Sequence, residues 1–220
     1  MSPAARPTYT VRPVGADFAP GDPGAPWGDV PSLRIGHYLW LDNGYEPEVE
    51  VRLCRSRDFL HVRFAVGEKR VRVRHTDFQD PVYKDSCVEF FVDAFPETRQ
   101  GYVNFETNAA GVLLAAFGPD RERRKPLWPE DLAGFEARSS IAGPVDGEHG
   151  SDVWTLDYRV PLELFRMLYG LAVRPGLRAA ANFYKCGDET EVPHYGAWSP
   201  VGTAAPDFHR PEFFGELVFG

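Results

Sequence analysis

"CVEFFVD" (Cys87–Asp93) and, after a turn containing proline and glycine, "YVNFETN" (Tyr102–Asn108) alternate apolar and polar residues in two consecutive runs. Successive side chains on a strand point to opposite faces, so Val88, Phe90 and Val92 share one face, as do Val103 and Phe105 on the neighbouring strand. The opposite face then carries Glu89, Tyr102, Asn104, Glu106 and Asn108. The same period of two recurs in "VEVRLC" (Val49–Cys54), "FLHVRFAV" (Phe59–Val66), "WTLDYRV" (Trp154–Val160) and the closing "GELVF" (Gly215–Phe219). Helical spacing is confined to "PLELFRMLYG" (Pro161–Gly170), where the leading proline suits a first helical turn. Many short strands, frequent turn signals and one helical turn predict an all-β chain, an antiparallel β-sandwich.

The 220 residues, 43% of them hydrophobic, suffice for one large domain with a core of its own. Residues 1–30, rich in Pro, Gly and Ala, read as an arm that packs loosely or crosses one face of a domain spanning 31–220. A formal net charge of −8 opposes binding to nucleic acid, and the basic run Glu68–His75 alternates with valines as a solvated strand face would. No apolar stretch approaches the roughly 20 residues of a membrane span, and proline breaks up the N-terminus where a signal core would lie. As written, the chain reads as soluble and cytoplasmic, with export left open because a signal removed beforehand would leave the same trace. Cys54, Cys87 and Cys186 are odd in number, far apart in sequence and form no C-x-x-C pair, so reduced thiols are expected. Nothing in the sequence sets the oligomeric state.

On the polar face, the carboxylate of Glu89 and the carboxamides of Asn104 and Asn108 supply the acceptors and donors that read vicinal hydroxyls. An aromatic plane beside them would complete a sugar site. The stretch "NFYKCGDETEVPHYGAWSPVG" (residues 182–202) is broken by glycine and proline and reads as a loop that could wall such a site. In it, Asn182 and Tyr184 are expected to face the ligand from a strand end. Lys185 and Asp188 open the loop, and His194, Tyr195 and Trp198 wall it, with Trp198 equally suited to plugging the core.

Five pieces in order, "VYKDSCVEFFVDAF" (82–95), "YVNFETNAAG" (102–111), "NFYKCGDE" (182–189), "HYGAWSPVG" (194–202) and "PDFHRPEFFGELVF" (206–219), resemble the family 9 carbohydrate-binding modules, and more closely their family-9-like relatives. The resemblance runs from about Leu33 to Phe219 and is weakest between about Arg121 and Glu148. It implies a non-catalytic module on a jelly-roll or DOMON-like sandwich that holds the end of a mono- or oligosaccharide between two aromatic side chains. Tyr83 and Phe208 match those aromatics, where well-studied modules use two tryptophans; Glu89 matches the central acid and Asn108 the asparagine after the next strand. His209, beside Phe208, joins the expected ligand-binding set. No cofactor is implied beyond the structural calcium that family modules can carry, and no run of closely spaced acids with an EF-hand glycine is present.

Other classes compete. A glycosidase would need two carboxyl groups flanking the scissile bond, for which Glu89 with Asp188 or Glu106 are the candidates. A metal centre would draw on Cys186, His194 and His209, whose spacing matches no zinc pattern, and haem would have Met167 as axial ligand. An interaction domain whose sugar site has decayed is the third alternative.

Overall fold

The computed structural model describes residues 6–220. Its strands in chain order are β1 (Thr8–Pro13), β2 (Ser32–Ile35), β3 (His37–Tyr38), β4 (Glu48–Arg55), β5 (Phe59–Gly67) and β6 (Arg70–Val73). There follow β7 (Cys87–Asp93), β8 (Tyr102–Asn108), β9 (Leu113–Gly118), β10 (Lys125–Pro126), β11 (Glu136–Ser139) and β12 (Val145–Glu148). The last four are β13 (Trp154–Pro161), β14 (Arg178–Cys186), β15 (Tyr195–Ala197) and β16 (Gly215–Phe219). One helix, α1 (Leu162–Tyr169), starts directly from Pro161 and ends at Gly170, whose φ of 72° lets its N–H close on the Arg166 carbonyl. The predicted helical turn is therefore present, and the chain is otherwise mostly β.

Fourteen strands form one curled, mostly antiparallel sheet. One half runs β10-β9-β8-β7-β14-β16 and the other β4-β5-β13-β11, with β1 pairing in parallel to both β16 and β4 and so joining them. Strands β6 and β12 form a separate ribbon. The halves face one another across a core in which Val88, Phe90, Val92, Val103, Phe105 and Phe183 meet Val51, Leu53, Val62, Phe64, Leu156 and Tyr158. Phe183 bridges them, stacked on Phe90 at 4.8 Å and edge-on to Phe64 at 6.3 Å. Removing apolar surface from water supplies the main favourable term here, about 25 cal/mol per Å² buried.

Alternation correctly sorted the inward residues of β5, β7, β8 and β13, but the other face of β7, β8 and β14 is not exposed to solvent. A second apolar cluster, including Cys87, Phe91, Tyr102, Tyr184, Phe208 and Phe214, lies on it. The cause is the segment after β14, which returns over that face before entering β16. Every residue of β7 and β8 is consequently buried.

The N-terminal segment crosses one face of the domain rather than packing loosely. Thr8–Pro13 is a strand with Tyr9 and Val11 in the core, and Phe18 and Trp27 then cover the outer face of β5 and β13. Phe18 stacks on His61 at 3.9 Å, Arg63 lies 5.0 Å from the Trp27 ring centre, and Asp157 accepts the Gly21 N–H. Cover by this segment makes His61 a buried imidazole, bonded to Ser56 Oγ at 2.9 Å, and burial pushes its pKa down to about 4. A depressed histidine pKa means that the unfolded chain takes up a proton the folded chain refuses as pH falls through 6.5 toward 4. Stability present above pH 6.5 is lost over that window. In urea titrations the wild type is expected to lose about 1–3 kcal/mol relative to His61→Gln between pH 7 and pH 4, the lower figure allowing for solvent screening. Parallel pH profiles for the two proteins would show that His61 does not carry this dependence.

Candidate functional site

On the outer face of the β7–β8–β14 half, a cleft of about 210 Å³, open to solvent on one side, has its floor on β7 and β8. Glu89 and Glu106 are directly opposed in the β7–β8 ladder, both on the face away from the core and both only 3% exposed. Tyr83, held by a 3₁₀ turn just before β7, and Phe208 and Tyr195, from the returning segment, form apolar walls. Beneath Phe208 lies Tyr184, its ring parallel within 12° at 4.0 Å and its hydroxyl donating to the Phe208 carbonyl at 3.1 Å. Trp40 packs against the same ring at 5.8 Å. Phe208 is thus fixed from behind before any ligand arrives.

Arg121 and Arg124 enter from the turn between β9 and β10. Gly118, the last residue of β9, permits the close approach: a Cβ there would stand 2.4 Å from Arg124 Cα. Arg124 Nη1 lies 2.8 Å from His209 Nε2 and 3.4 Å from Glu106 Oε1, while Tyr102 Oη is 2.8 Å from His209 Nδ1. Asp207 accepts from Arg121 at 2.9 Å and from the His209 N–H at 3.1 Å, which positions both. Burial beside two guanidinium groups lowers the His209 pKa to about 2, so this imidazole stays neutral.

The floor acids are shifted the other way. Burial raises Glu106 to about 7 against the pull of Arg124 and Arg121. Burial, Cys186 and Glu106 together hold Glu89 well above the ordinary carboxylate range. Asp188, at the rim, is raised chiefly by burial. A hydrogen-bearing carboxyl both donates and accepts, so Glu89 offers a ligand hydroxyl more than the acceptor-only carboxylate expected from sequence.

Of the residues chosen from sequence, Tyr83, Glu89, Asp188, Tyr195, Phe208 and His209 line the cleft. Asn104 stands behind it, donating to Glu106 Oε1 at 3.0 Å, and Tyr184 supports Phe208. The others do not reach it. Asn108 donates to the His75 carbonyl and Asp85 and accepts the Ala110 and Val112 N–H groups, which uses it up in holding the β8–β9 turn. Asn182 clips β14 to the returning chain by exchanging hydrogen bonds with the Ser199 backbone. Trp198 packs edge-on to Phe183 at 5.7 Å in the core. Lys185 falls on the opposite side of β14 from Tyr184, buried with Glu68 and His194. His194 Nδ1 bonds to the Val192 carbonyl and Nε2 to Lys185, so it walls nothing.

Residues 182–202 are likewise not all loop, since Asn182–Cys186 complete β14 and Tyr195–Ala197 form β15. The proposed trio of Cys186, His194 and His209 is dispersed by these contacts, and Met167 lies exposed on α1. Sequence reading missed Arg121, Arg124 and Asp207 and brought in Glu106 only as a candidate catalytic acid, not as a ligand-binding residue. Glu106 was within reach, because it shares the outward period with Glu89. The arginines had no periodic signal, lying in a turn.

Across residues 28–219 the chain matches the family model described as carbohydrate-binding family 9. The chain belongs to this family. Among solved structures, a candidate carbohydrate-binding protein from Bacteroides uniformis is similar at 33% identity with a TM-score of 0.86, the alignment covering 98% of this chain and all of that one (100%). A family 9 module from Caldicellulosiruptor kristjanssonii, solved in complex with glucose, shares the fold at 14% identity and a TM-score of 0.67, covering 97% of this chain and 96% of that one. The cellotriose complex of a family 9 module from the same organism aligns at 12% identity and a TM-score of 0.64, covering 97% and 93%. Comparison with curated proteins finds no match. In this family 9 chain, Tyr83, Phe208 and the opposed acids cluster in one cleft. Among the described residues, no helix is long and apolar enough to cross a membrane.

Proposed function

We propose that this family 9 domain binds the end of a neutral mono- or oligosaccharide in the cleft and does not cleave it. The observation that carries this reading is the convergence of two aromatic side chains, Tyr83 and Phe208, on a floor of hydrogen-bonding groups, Glu89, Glu106 and Arg124. Aromatic faces suit the apolar faces of a pyranose, while the floor presents both donors and acceptors to its hydroxyls. The glucose and cellotriose bound by the relatives from C. kristjanssonii support the same ligand class. On this reading the two facing half-sheets are a jelly-roll-like β-sandwich whose cleft lies on one outer face.

The placement of Glu89 and Glu106 supports binding without catalysis. Glu89 and Glu106 are direct cross-strand neighbours, whose Cβ atoms lie about 4.5–5.5 Å apart on a single floor. Hydrolysis needs carboxyl groups on two sides of a glycosidic bond, one reaching the leaving oxygen and one the anomeric carbon. Side-by-side acids grip hydroxyls instead.

Calorimetric titration with glucose, cellotriose and short xylo- and manno-oligosaccharides tests the proposal, with dissociation constants expected in the micromolar to millimolar range, about −4 to −8 kcal/mol. Tyr83→Ala is expected to weaken the best ligand about tenfold by removing one stacking face, and no reducing ends should be released. Absence of any heat with all four ligand classes at millimolar concentration would refute the binding reading, and steady release of reducing ends the non-catalytic one.

A further inference from the structure

The three cysteines, distant in sequence, are not distant in the fold. Cys87 and Cys186 are direct partners in the β7–β14 ladder and point to the same face as Glu89, which follows Cys87 by two residues. Both thiols and the Glu89 carboxyl are buried, and one ligand atom from each lies within 4.8 Å of the others. Cys186 Sγ is 3.2 Å from Glu89 Oε1. We propose that Cys87, Cys186 and Glu89 form a binding site for a thiophilic divalent cation of the zinc type at the floor of the cleft.

The geometry is close to what such an ion requires. Zinc–sulfur bonds of about 2.3 Å and zinc–oxygen bonds of about 2.0–2.2 Å put tetrahedral ligand atoms about 3.5–3.8 Å apart. The cluster reaches that spacing by side-chain shifts of about 1 Å, within rotamer adjustment of two cysteines and a glutamate. Two sulfurs and one oxygen select a borderline-soft ion over calcium or magnesium, which take oxygen ligands. Cys186 and Glu89 line the cleft and Cys87 sits behind them, so the fourth position opens to the cleft, where water or another small oxygen ligand completes the tetrahedron. Two thiolates and a carboxylate exceed the ion's charge by one, and the guanidinium groups of Arg121 and Arg124 line the same cleft as Cys186 and Glu89. The cation would replace the protons that these buried groups otherwise carry, a plain exchange with no change of oxidation state.

The site stands on ligand geometry alone, whatever the cleft binds, and it is tested without sugar. The full chain, reduced and freed of metal by a chelator, is titrated with Co²⁺ under anaerobic conditions. One equivalent per chain is expected to give thiolate-to-cobalt charge-transfer absorption and the visible bands of a tetrahedral ion, both bleached by one equivalent of Zn²⁺. Cys54→Ser should behave as wild type. Cys87→Ser and Cys186→Ser should bind more than about 100-fold more weakly, and Glu89→Gln should keep the charge-transfer band while losing affinity. Should the serine variants fail to fold by circular dichroism, the wild type decides alone: its band intensity must correspond to two thiolates per cobalt, and prior alkylation of the thiols must abolish it. Absence of the charge-transfer band in the reduced wild type, intensity of a single thiolate, or unchanged binding in a folded Cys87→Ser variant would overturn the site.

Discussion

Lys185→Met is expected to cost about 3–5 kcal/mol of folding stability while leaving sugar affinity unchanged within about twofold. Lys185 Nζ contacts Glu68 at 3.2 Å, the Cys186 carbonyl at 3.0 Å and His194 Nε2 at 2.8 Å, with the whole group shut away from water. Removing the cation leaves Glu68, which also accepts from Trp154 Nε1 at 3.1 Å, as an unpaired buried charge. That desolvation penalty, rather than the lost attraction, sets the size of the effect. The double variant Lys185→Met/Glu68→Gln should recover part of the loss, since no lone charge then remains. Urea unfolding measures the stability, and calorimetry on the folded fraction the affinity. A tenfold loss of affinity in folded Lys185→Met would return this residue to the sugar site.

Phe208→Ala should instead damage both properties. The ring is 8% exposed and is held by Tyr184, Trp40 and Tyr195, so truncation removes packing on one side and a wall of the cleft on the other. Buried phenylalanine-to-alanine changes cost about 3–5 kcal/mol, and the partial exposure here argues for the lower end. Sugar affinity is expected to fall by at least tenfold, from the lost stacking face and from a backing tyrosine no longer held in place. Phe208→Leu keeps much of the volume but no aromatic face, so it should restore most of the stability and little of the affinity. Full affinity in Phe208→Leu would mean that the ring serves packing alone.

Contrasting these two residues shows what kind of signal reached the sequence. Alternation in "NFYKC" already places Lys185 on the side of Phe183 and opposite Tyr184, yet the richness of polar groups in residues 182–202 drew it into the site. Strand period is a local property of the backbone, and it correctly divided Val88, Phe90 and Val92 from Glu89. Matching the five ordered pieces to family 9 modules correctly put Tyr83, Glu89 and Phe208 in one place. Asn108 matched the same pattern and still went elsewhere, because its side chain satisfies a turn and Asp85.

Local chemistry by itself determined strands β4, β5, β7, β8, β13 and β16, the single helix, the inward faces of β5, β7, β8 and β13, and the presence of an acid on the outward face of β7. These follow from steric alternation and turn propensity, which act over a few residues. Only the tertiary structure decided that this outward face is buried, because its cover comes from a segment about a hundred residues later that returns over it. The same long-range packing brought Arg124 to Glu106, raised both floor acids through desolvation and set Cys87 against Cys186 across a ladder. Burial and charge depend on what lies nearby in space, and sequence separation carries no record of it.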